Sequence, residues 1–185
     1  DYFTAVVHES SVDVDLLLAV RTTGASETFT LPASNTGTYN ANIEWGDGKP
    51  DDNITAFNDA GLTHTYDVAG DYTIRVSGTF PALLFNNAGP DLAKVIHIYS
   101  LGAGPYIIFG GAFFGLSALE SFTLGDGDIT AVSNASSAFK NLTSLLTGPD
   151  FRGADFSNTT NMSSMMNNWS SMTTPPDLSG FDTSK

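Results

Sequence analysis

Apolar and polar positions alternate with a period of two through much of the first eighty residues. Val12, Val14 and Leu16 interleave with Ser11, Asp13 and Asp15 before an apolar run to Val20, the pattern of a half-buried strand. The same reading predicts strands over 3–7, 27–31, 40–45, 54–57, 62–66 and 71–79, with Ile43 and Trp45 on one face. Gly24-Ala25-Ser26, Gly46-Asp47-Gly48 and Asp67-Val68-Ala69-Gly70 separate these runs with residues that favour turns. Seven or eight short strands, spaced by turns every ~8–12 residues, predict an antiparallel β-sandwich.

After Phe80-Pro81 the period of two is lost and a longer one replaces it. Ala112-Phe113-Phe114-Gly115-Leu116-Ser117-Ala118-Leu119 aligns with Ala138 to Leu145 and then with Met165 to Met172. Leu124, Phe151 and Leu178 recur downstream at the same spacing, and Leu92 and Val95 form a weaker unit upstream. A repeat of ~26–27 residues predicts a stacked solenoid of leucine-rich-repeat type. Each unit is expected to carry a short helix or turn and one short strand. Stacking places Leu116, Leu142 and Trp169 in one column and Leu119, Leu145 and Met172 in the next. Short polar side chains suit such an array, and Asn141 and Asn168 are placed to form a ladder along its axis.

Two stretches resemble known families. Ile43-Glu44-Trp45-Gly46-Asp47-Gly48, then Thr63-His64-Thr65-Tyr66 and Gly70 to Val76, resemble the polycystic-kidney-disease (PKD) type of immunoglobulin-like domain. Phe156 to Ser163 and Leu178 to Lys185 resemble the repeat of BspA-like leucine-rich-repeat surface proteins. The segments 101–111 and 125–137 lack that repeat's Asp-Thr-Ser and Asn-Met-Ser signatures. The resemblance implies extracellular display and binding to host or neighbouring proteins. The expected fold class is mainly β: a PKD/Ig-like sandwich over 1–80, then a leucine-rich solenoid over 81–185. The short apolar boundary predicts a rigid, end-on junction, with Phe80, Leu83, Leu84 and Phe85 closing the sandwich base. The last unit stops at Lys185, so Trp169, Met172 and Leu178 are expected at an open apolar end. Either further chain or a partner subunit is expected to cover that end.

Composition narrows the function. Twenty acidic residues against seven Lys and Arg give a formal net charge of −13, which repels phosphate backbones and anionic lipid and argues against nucleic-acid partners. No run reaches the ~18 apolar residues of a membrane helix, so no membrane insertion is expected. The chain has no cysteine, which removes disulfides and thiolate chemistry.

Candidate chemistry is sparse. Trp45 is expected to plug the core, Gly46 and Gly48 to permit positive φ, and Asp47 to bond turn amides. Asp47, Asp51 and Asp52 are also candidate oxygen ligands for calcium, and Gly125-Asp126-Gly127-Asp128 invites the same reading. His64 has no neighbouring nucleophile motif and is expected to pack in the fold, with Tyr66 tying a loop through its hydroxyl. No P-loop, nucleophile elbow or zinc helix occurs in the sequence, and no enzymatic activity is expected. Six Asn-x-Ser/Thr sequons, at Asn53, Asn134, Asn141, Asn158, Asn161 and Asn168, would be glycan sites in a eukaryotic secreted protein, but the Asn-Met-Ser of the repeat and a chain rich in Asn, Ser and Thr account for them. The expectation is a non-enzymatic surface protein binding protein or glycan, with a virion decoration or fibre component as the alternative. A carbohydrate-binding accessory module is the third option. Self-association or contact with shell subunits belongs to the second.

Overall fold

The computed structural model describes residues 15–125, 127–151 and 154–178. The strand expected at 3–7, and the start of the 12–20 run, lie outside these residues. The protein is mainly β. Eight strands form among the described residues: β1 (Leu16–Thr22), β2 (Glu27–Thr30), β3 (Asn40–Glu44), β4 (Asp52–Ile54), β5 (Thr63–Tyr66), β6 (Gly70–Thr79), β7 (Val95–Leu101) and β8 (Ser121–Phe122). The helical content among the described residues is two 3-10 turns, Ala60–Leu62 and Pro90–Ala93.

The strands build a six-stranded mixed sheet in the order β4-β3-β6-β1-β7-β8 and a two-stranded sheet β2-β5. Alternation sets the faces. In β5, His64 and Tyr66 are buried while Thr63 and Thr65 are exposed. In β6, Ile74 and Val76 turn inward, with Leu18 and Leu16 of β1 opposite them. Phe29, Leu31 and Tyr66 from the small sheet and its flank share one core with Leu18, Ile43 and Ile74 from the large one. This two-sheet arrangement is consistent with a β-sandwich.

β1 has two partners. It pairs antiparallel with β6 on one edge and with β7 on the other, with two register shifts along the β7 side. The large sheet therefore runs sideways across the 80/81 boundary. The end-on junction expected from the sequence is replaced by lateral strand pairing, because β7 completes a ladder that β1 would otherwise leave open. Phe80, Leu83 and Phe85 are buried beneath this junction.

Beyond β7 the chain winds in coils that stack in parallel. β7 pairs with β8, setting His97 beside Ser121 and Ile98 beside Phe122. Parallel bridges then join Thr123 to Asp150, Asn134 to Asn161 and Thr147 to Thr174, each pair holding equivalent places in successive coils. The segments expected as helix or turn are turns. Equivalent side chains fall in columns: Leu116 and Leu142, and Leu119 and Leu145, are fully buried. Phe113 stacks on Phe139 with centroids 5.3 Å apart, and Phe122 and Phe151 meet the same ring edge-on.

The edge strand expected at 54–57 forms instead at 52–54. Its polar start is stabilised by side-chain bonds that a hydrophobicity pattern does not register. Asp52 accepts from the Trp45 indole, and Asp51 just before it accepts from Asn42.

Candidate functional site

Two places carry the side chains singled out by the sequence: the loop after Trp45 and the last coil of the stack.

The loop begins where β3 ends. Trp45 is buried, and its ring lies flat against His64 (centroids 4.9 Å, planes 11° apart). His64 Nε2 is 2.9 Å from Asp47 Oδ2. The Tyr66 hydroxyl donates to the Trp45 carbonyl at 3.0 Å, and the Lys49 amide donates to Asp47 Oδ1 at 3.1 Å. Gly46 has φ of +83°, and a Cβ there would sit 2.4 Å from the Thr73 carbonyl oxygen, so only glycine fits. The loop is thus pinned from three sides, by an aromatic stack, a tyrosine hydroxyl and a carboxylate.

Burial by itself pushes the Asp47 carboxyl up. The His64 and Lys49-amide hydrogen bonds, with the attraction of both side chains, outweigh it and hold the carboxyl below its ordinary range. Burial, and then the Asp47 charge, push the Tyr66 hydroxyl up, so it stays protonated as a donor. His64 directs Nε2 to a carboxylate, stacks on Trp45 and meets Tyr66 edge-on. That is a packing and orienting role.

The three candidate calcium carboxylates do not converge. Asp47 turns to His64, Asp51 Oδ2 accepts from Asn42 Nδ2 at 3.0 Å, and Asp52 Oδ2 accepts from Trp45 Nε1 at 2.8 Å. Among the described residues, no group of three or more His, Asp or Glu side chains is placed to hold a metal ion. Asp128 accepts from the Thr130 amide and hydroxyl in an Asx turn. Asp126 lies outside the described residues.

The last coil is the second place. Trp169 and Met172 pack against the core and are half-buried, whereas their counterparts one coil earlier, Leu142 and Leu145, are fully buried. Trp169 Nε1 donates to the Phe139 carbonyl. Leu178 is 44% exposed where Phe151, its equivalent, is 3% exposed. The structure thus brings Trp169 and Met172 to one partly open apolar face, and leaves Leu178 with the largest exposure of the three.

Sequence reasoning missed the backbone that makes the coils stack. Successive coils carry paired positive-φ residues at matching places: Gly111 and Gly115, Ser137 and Asn141, Ser164 and Asn168. Glycine and asparagine tolerate this region best. The signal was present as small or amide residues at matching repeat positions. Asn134 and Asn161, bridged to one another across coils, each accept through the side chain the amide of the serine two residues on, Ser136 and Ser163. Comparison with protein-family models, with curated proteins and with solved structures returned no match.

Proposed function

We propose that this chain is a non-enzymatic extracellular surface module that mediates adhesion or binds protein or glycan. Its N-terminal part, about residues 1–80, is read as an immunoglobulin-like sandwich of PKD type. Residues from 81 onward are read as a leucine-rich solenoid of BspA-like character. The observation that carries this reading is the set of coils stacked in step with the sequence repeat, joined to the N-terminal sheets by β1–β7 pairing. Such a body suits a rigid arm with a ridged side. The ridges are lined with exposed threonine and asparagine side chains that bond between coils, as Asn158 does to Thr130, Thr160 to Ser133 and Thr173 to Leu146. A surface of neutral hydrogen-bonding groups is suited to polar extracellular ligands, while the net charge of −13 disfavours nucleic acid and anionic membranes.

The test is a binding screen of the immobilised chain against glycans and against extracellular proteins. Saturable binding that survives salt near ~1 M, where ionic contacts are screened within ~3 Å, supports the reading. Absence of any saturable ligand in both sets overturns it.

A second reading is a virion decoration or fibre component, in which the partly exposed Trp169, Met172 and Leu178 would meet a neighbouring shell subunit. Co-purification of the chain with intact particles distinguishes the two.

A further inference from the structure

A cleft of about 310 Å³ lies along the seam between the N-terminal sheets and the first coil. One wall is the outer edge of β2 with Pro32 just beyond it, and the other is the turn carrying Ala88, Pro90 and Leu92. Phe85, the most buried of the lining residues, forms the floor. Bonds across the seam hold the walls apart at a fixed width. The Thr30 amide donates to Asp91 Oδ2 at 3.0 Å, the Leu84 amide to the Pro32 carbonyl at 3.2 Å, and the Lys94 ammonium to the Thr28 carbonyl. The cleft is therefore formed before any ligand arrives, as small-molecule sites usually are.

Asp91 also lines it. The residue is nine-tenths buried, and among the described residues no donor hydrogen-bonds its Oδ1. Lys94 Nζ, 2.8 Å away, balances the charge without the geometry of a hydrogen bond. A buried carboxylate oxygen without a donor is rare in a folded chain, and it marks a place where a donor from outside belongs.

These features narrow the ligand. The Thr28 carbonyl, the Thr30 amide and the Pro32 carbonyl are already bonded, so a peptide cannot add to β2 as a further strand. The Asp91 carboxylate disfavours an anion, and Lys94 beside it removes the need for a cation. A wholly apolar ligand would leave Asp91 Oδ1 without a donor. The volume sits at the small end of ligand sites, which span about 300–1,000 Å³, and suits a single ring. A neutral ring with one apolar face and several hydroxyl donors meets all four conditions.

We propose that the cleft binds one neutral pyranose unit of a glycan. The C–H face of the sugar lies against Pro32, Pro90 and Leu92, and a sugar hydroxyl supplies the donor that Asp91 Oδ1 lacks. The exposed Thr28 and Thr30 offer further hydrogen-bonding hydroxyls. The inference rests on the glycan form of the surface-binding reading and puts that binding at the seam rather than on the ridged side.

The test titrates the isotope-labelled 185-residue chain with the methyl glycosides of glucose, galactose, mannose and N-acetylglucosamine at millimolar concentration. Methyl resonances are read residue by residue. At least one glycoside is expected to shift Thr28, Ala88 and Leu92 saturably and to leave the buried Leu119 and Leu145 of the coils in place. Thr28→Trp and Ala88→Trp fill the cleft from opposite walls. Each is expected to weaken binding by about tenfold or more while the melting transition is kept, which separates lost binding from lost folding. The proposal is overturned if no glycoside shifts these methyls, if the shifts gather elsewhere on the surface, or if both folded variants bind as tightly as the parent chain. The last two results remove the cleft and leave glycan binding in place, whereas a glycan screen without any ligand removes both.

Discussion

Asn168 Nδ2 donates to Asn141 Oδ1 at 3.1 Å, bridging two successive coils. Both residues hold positive φ, +62° for Asn141 and +63° for Asn168, and the equivalent position one coil earlier is Gly115. The pair therefore serves two ends, since the amide side chains bridge coils and the residue type tolerates the left-handed backbone. Asn141→Ala loses both and is expected to cost about 1–2 kcal/mol. Asn141→Gly keeps the backbone freedom and is expected to cost less than half as much. Urea unfolding of the two variants checks the order.

The edge of β2 gives a second prediction. Asp91 Oδ2 accepts from the Thr30 amide at 3.0 Å, and Lys94 Nζ donates to the Thr28 carbonyl at 2.5 Å. Lys94 Nζ also lies 2.8 Å from Asp91 Oδ1, an ion pair by distance but not by hydrogen-bond geometry. These two side chains of the first coil occupy the places a neighbouring strand would fill, and so close the β2 edge. Asp91→Ala strips the Thr30 amide of its partner and is expected to cost about 1–3 kcal/mol. Thr30 amide exchange is expected to rise in the variant, which localises the effect to the edge.

Asp47 predicts the acid limb of the stability curve. Its folded-state pKa is depressed, so the unfolded chain binds its proton more readily. Its stabilising contribution is complete above the ordinary Asp pKa of about 4 and is lost as pH falls through the lower folded value. Asp47→Asn is expected to lower the melting temperature at pH 6 and to flatten its decline below about pH 4. An unchanged slope would assign the acid sensitivity to other carboxylates.

Calcium has a direct test. Asp47, Asp51 and Asp52 would each have to give up a bond to His64, Asn42 or Trp45 before sharing an ion. The melting transition is therefore expected to be the same in EDTA and in millimolar calcium. A rise with calcium that Asp52→Asn removes would show that the loop rearranges around the ion.

The first half was legible in the sequence because its strands alternate. Phe29, Ile43, Tyr66 and Ile74 are inward where the period of two places them. The role of Trp45, the glycine turn and the Tyr66 hydroxyl bond followed from residue type and spacing. In the second half the repeat columns were legible, and so was the Asn141–Asn168 ladder. β7 was not, since Val95, Ile96, Ile98, Ser100 and Leu101 are all buried, which reflects pairing with β1 rather than a simple alternation. The calcium reading failed to anticipate divergence because proximity in sequence does not fix where a carboxylate points.

The most direct measurement of the central claim is immunogold electron microscopy of the native source, comparing intact cells, permeabilised cells and particles released into the medium. The account predicts label on the outside of intact cells, or at regular sites on released particles under the second reading. Label seen only after permeabilisation, inside the cell, would contradict an extracellular role.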